Sequence, residues 1–76
     1  MKIIELDTFF NNYQVHIEVT RAFSGTYQVW INKCYHGILM KAADGWIVHL
    51  HRNTFLQGDD VTVIIGMIEH LAVLGD

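Results

Sequence analysis

Two histidines stand one residue apart in GWIVHLHR, Gly45 to Arg52, and a third, His36, precedes them. Residues i and i+2 of a strand share a face, so His49 and His51 project together, and His36 on a neighbouring strand would add a third imidazole. Three imidazoles are one way a protein holds zinc with a fourth position open. Nothing in the sequence places a carboxylate or thiolate as the remaining ligand or as a support behind the ring nitrogens, and Cys34 lies beyond His36 on its own strand. Solvated histidines account for the pattern equally well. His36, His49 and His51 are therefore metal candidates only, and the sequence assigns no metal and no cofactor.

Other reactive side chains are placed no better. Cys34 sits near a turn with no histidine positioned beside it by the sequence, and Ser24 occupies a turn with Gly25. Asp7 and His16 are expected as cross-strand neighbours, an arrangement that reads as a sheet contact before an acid–base couple. The chain has no Walker loop, no G-x-G-x-x-G and no H-E-x-x-H. No catalytic residue is assigned, and an enzyme is the less favoured reading.

The elements that must position these residues follow from turns and periodicity. Asn11-Asn12, Ser24-Gly25, Asn32-Lys33 and Asp44-Gly45 mark short turns, of which Lys33 makes the third the poorest in turn chemistry. In YQVHIEVTR, Tyr13, Val15, Ile17 and Val19 alternate with Gln14, His16, Glu18 and Thr20, giving an inner and an outer face. Two-residue turns then set Phe10 opposite Tyr13, Leu6 opposite Ile17, Ile4 opposite Val19 and Asp7 opposite His16. Carried forward, the same register sets Trp30 opposite Val19 and puts Tyr35, Leu39, Trp46, Val48 and Leu50 on the inner face. Residues 3–10 and the Asn32-Lys33 turn are the least determined parts of this scheme.

From Asp59 the period becomes helical: Val61, Ile64, Ile65, Ile68, Leu71 and Ala72 make one stripe. Asp59 is the expected N-cap, Asp60 complements the helix dipole, and Gly75 is placed to end the helix. The expectation is a single α+β domain over residues 1–76: an antiparallel meander of four or five strands with one C-terminal helix on one face.

Composition limits the function classes. The chain is 51% hydrophobic with no proline, which suits a globular sheet protein. Five Lys and Arg against eight Asp and Glu leave a net charge of −3, with the basic residues scattered along the chain. No cationic footprint for phosphate is visible. A single cysteine suits a reducing compartment, IIELDTFF is too charged for a signal-peptide core, and no apolar run approaches the ~20 residues of a membrane span. The expectation is a cytoplasmic protein without a membrane segment.

One feature exceeds what an ordinary domain of this size needs. The predicted outer face carries Tyr27, Val29, Ile31, Ile38, Met40 and Ile47, and Val63, Met67 and Leu74 widen the apolar arc of the helix. Apolar surface on that scale calls for a cover. These nine residues are the expected interface of a homodimer or, alternatively, of a foreign protein partner, and the favoured reading is a small self-associating interaction or regulatory module. The order of strands followed by a helix, with Tyr27 on an open face able to stack a base, resembles the layout of the PC4-like single-strand-binding domains. The resemblance implies single-stranded nucleic acid as a second reading, which the acidic balance argues against. A histidine-based metal-binding protein is the third.

Overall fold

The computed structural model describes residues 2–10, 12–23 and 25–73, with residues 72 and 73 described by their backbone alone. Strands β1 (Lys2–Phe10), β2 (Tyr13–Phe23), β3 (Thr26–Ile31), β4 (Cys34–Ala42) and β5 (Gly45–Leu50) form one antiparallel sheet in sequence order, and helix α1 (Gly58–Val73) packs on one face. This is the meander and helix that the periodicity predicts. Three of the turns use residues that tolerate a left-handed backbone: Asn12 has φ 68°, Gly25 φ 76°, and Asn32 and Lys33 have φ 52° and 69°. The fourth falls at Ala43-Asp44 rather than Asp44-Gly45, with Ala42 opposite Gly45, which leaves the faces of β5 unchanged.

β1 and β2 pair as expected, with Phe10 opposite Tyr13, Asp7 opposite His16, Leu6 opposite Ile17 and Ile4 opposite Val19. The next hairpin differs by one residue. Phe23 still faces Thr26, but Arg21 faces Tyr27, so Ala22 is bulged out of register. A slip of one residue turns every later side chain of β3 to the other face. Val29 therefore meets Val19, Ile31 meets Ile17, and Tyr27, Val29 and Ile31 are buried in the core under the helix. Their expected place on an outer face is corrected accordingly. Trp30 turns outward opposite Glu18, and Tyr35 follows it, with ring centroids 5.4 Å apart.

A second irregularity reverses the first. Trp30 faces Tyr35 and Val29 faces Gly37, so His36 is the extra residue of β4. After it Leu39 lies opposite Tyr27 in the core, and Trp46, Val48 and Leu50 stay on the helix side as predicted. Gly37 makes the bulge feasible. Its φ is 154°, and a Cβ there would stand 2.6 Å from the carbonyl oxygen of His49.

The helix buries Val61, Ile64 and Ile68, with Leu56 from the preceding loop beneath it. Its start lies earlier than expected. Gln57 is the N-cap rather than Asp59: the Val61 N–H donates to Gln57 O at 3.0 Å, and the Gln57 N–H donates to Asp60 Oδ2 at 3.0 Å. Asp60 thus performs the return half of a capping box and is itself buried. Leu74 and Gly75 lie outside the described residues.

Candidate functional site

The sheet face away from the helix has two unlike ends. At the β1–β2 end four side chains form a square set by the register: Asp7 opposite His16, and Glu5 opposite Glu18. His16 Nδ1 lies 2.8 Å from Asp7 Oδ1, and Nε2 lies 3.0 Å from Glu5 Oε2 and 3.7 Å from Glu18 Oε1. The Lys2 ammonium lies 2.7 Å from Glu18 Oε2 and 3.4 Å from Glu5 Oε1, and Lys33 reaches from the β3–β4 turn to within 2.8 Å of Glu18 Oε1. Asn32 in the same turn exchanges two bonds with the His16 backbone, donating from its N–H to His16 O at 2.8 Å and accepting the His16 N–H at Oδ1 at 2.9 Å.

Opposite charges in and around this square support one another, while Glu18 opposes the ionisation of Glu5. The Lys2 ammonium, with Lys33 beside it, holds the Glu18 carboxyl at about 2. Bonding to His16 and then Lys2 lowers Glu5. Asp7, then Glu5, raises His16, so the imidazolium is favoured there, and Glu18 raises Lys2. The shared cause is charge-assisted hydrogen bonding on an open face. Lys2 and Lys33 both direct their charge at Glu18, which leaves them poorly placed to track a phosphate backbone.

The β4–β5 end is apolar. Met40 faces Ile47 and Ile38 faces His49 across the pair, beside Trp30 and Tyr35, and Ile47 and Tyr35 are exposed. Between the ends runs an open groove of about 610 Å³ lined by Glu18, Thr20, Arg21, Ala22, Gln28, Trp30 and Lys33. β5 is an edge strand whose sequence, GWIVHL, contains no charged residue and no proline. On the helix side, Val63 is exposed and Met67 is half-buried, lining a shallow groove of about 430 Å³ with Ile4, Leu6, Gly66, His70 and Leu71.

Of the three candidate histidines, His36 and His51 line one groove of about 470 Å³ together with Cys34, and His49 is not among its lining residues. His49 faces Ile38 on the open face. His36, at the bulge, turns toward the loop before the helix: its Nδ1 shares a hydrogen bond of 2.7 Å with the Thr54 hydroxyl, while Thr54 Oγ1 accepts the Leu56 N–H at 3.1 Å. Burial first, and the nearby His51 second, lower the pKa of His36, in keeping with a neutral ring. His51 is exposed and stands edge-on to Tyr35 at 6.4 Å. Among the described residues the group whose ligand atoms converge is Glu5, His16 and Glu18. No motif marks this cluster in the sequence, although the β1–β2 register sets Glu5 opposite Glu18. Cys34 is a free, exposed thiol.

Fold and site together define a small α+β sheet protein with one uncovered face and no catalytic motif among its described residues. No helix among them is long and apolar enough to cross a membrane. No protein-family model matches the chain, and no curated protein or solved structure is significantly similar to it.

Proposed function

We propose that the protein is a small interaction module that works as a homodimer, its contact built on the apolar β4–β5 end of the open face. The observation that carries this reading is the pairing of exposed Ile47 and neighbouring Ile38 and Met40 with an unguarded edge strand. Natural sheets protect such edges with charge, proline or a bulge, and an unprotected edge is a template for another chain. Two copies related by a twofold axis can present the same patch to each other.

The unguarded edge favours the sheet face over the helix flank. Burial is worth about 2.5 kcal/mol per 100 Å² of apolar area, against roughly 4–15 kcal/mol for lost freedom on association. A standard interface takes about 800 Å² from each partner, close to a sixth of the 4996 Å² accessible here. Ile38, Met40 and Ile47 with the Trp30–Tyr35 pair put five large side chains on the open sheet face whose edge strand is unguarded, whereas the Met67 groove lies on the helix side of the sheet. Light scattering on three proteins separates the surfaces. Ile38→Glu should lower the mass to that of a monomer and Met67→Glu should not, because a charge is stranded only where the contact forms. The reverse result transfers the interface to the helix flank, and a wild-type monomer leaves a foreign partner as the occupant.

A further inference from the structure

We propose that Glu5, His16 and Glu18 bind one divalent transition-metal ion of the zinc type, with Asp7 supporting the histidine from behind. His16 Nε2, a Glu5 carboxylate oxygen and a Glu18 carboxylate oxygen all lie within 4.8 Å of one another. Ligand atoms held at 2.0–2.2 Å from a tetrahedral ion stand roughly 3.3 Å apart, so the observed 3.0 Å and 3.7 Å separations from Nε2 need only small side-chain adjustments. One imidazole with two carboxylates is a borderline nitrogen and oxygen donor set, suited to zinc, cobalt or nickel before a soft ion.

The surroundings favour a site over a chance encounter of charges. Asp7 Oδ1 at 2.8 Å keeps the proton on Nδ1 and aims the Nε2 lone pair into the cluster, the support that metal-bound histidines ordinarily have. Asn32 fixes the His16 backbone through two hydrogen bonds. Glu18 keeps only 10% of its side chain exposed, and its Oε1 is ion-paired to Lys33 Nζ at 2.8 Å with His16 Nε2 at 3.7 Å. A bound ion would replace Lys33 at that oxygen. It would take the place of the proton between Nε2 and Glu5, releasing that proton to solvent, while the partly exposed lysines swing outward. Their competition for Glu18 weakens the site.

The experiment uses the full chain without a histidine tag, stripped with chelator, titrated with zinc by calorimetry and with cobalt by visible absorbance. One equivalent should bind, and the melting temperature should rise with zinc. His16→Asn and Glu5→Gln should each weaken zinc by more than about 10-fold, and Asp7→Asn by about 10-fold, as loss of a supporting carboxylate does. The double variant His49→Asn with His51→Asn should bind as the wild type does. Circular dichroism confirms that each variant is folded, and exposed Glu5→Gln carries the test if His16→Asn does not fold. No saturable binding by the folded wild type, or binding that survives Glu5→Gln and disappears in the His49 and His51 variant, would overturn the proposal.

Discussion

The two edges of the sheet solve the same problem in opposite ways. β1 ends the sheet with Lys2, Glu5 and Asp7, a register shift between Lys2 and Ile4, and a charged square whose members answer one another. Each of those features discourages pairing with another chain. β5 ends it with GWIVHL, uncharged and in unbroken register with β4 from Gly37 to Ala42. One edge of the sheet is thus closed by charge, and the other is left without charge, proline or bulge, which is why the proposed contact is placed there.

The largest expected effect breaks the β5 side. Ile47→Glu should weaken self-association by about 30-fold or more, the loss typical of an anchor residue near the centre of a contact, read as a concentration-dependent mass. The isolated subunit should keep its melting temperature, because Ile47 is 47% exposed and outside the core. A drop in melting temperature at a concentration where the wild type is already monomeric would show that Ile47 supports the fold instead.

The next effect lies on the β1 side. Glu18→Gln removes the charge that both lysines approach, so thermal unfolding should occur at a lower temperature while the mass stays that of the wild type. Added salt should narrow the gap between variant and wild type, since screening weakens the same contacts in the parent. A variant that loses the dimer as well would erase the distinction between the two edges.

A smaller effect comes from His36, which belongs to neither edge and so serves as a reference. Burial lowers its pKa below the ordinary 6.5. A histidine depressed in the folded state contributes stability that is whole above 6.5 and is lost as pH falls through its folded value. His36→Gln should therefore flatten the acid-side fall in melting temperature that begins near pH 6.5. An unchanged slope would assign it to another group.

Much of this was legible in the residues. The alternation in β2 and the Asn11-Asn12 turn gave the β1–β2 register, and with it Asp7 against His16 and Glu5 against Glu18. The i, i+3, i+4 stripe gave the helix and its buried face. The bulges at Ala22 and His36 were not legible as such, because neither residue type announces an inserted position. One signal was present: Gly37 within a strand pattern marks a bulge or a close backbone approach, and it lies beside the second bulge. A second was the crowding of apolar residues on the expected outer face, half of which proved to be core: Tyr27, Val29 and Ile31. The convergence of ligand atoms at His16 depends on rotamers, which strand periodicity does not fix.

The central claim is that two copies meet through the β4–β5 end of the open face, and sedimentation equilibrium of the untagged wild type tests it most directly. The account predicts a mass near twice 8.8 kDa at tens of micromolar, falling toward 8.8 kDa on dilution and at all concentrations for Ile47→Glu. A wild-type mass of 8.8 kDa throughout that range would contradict it.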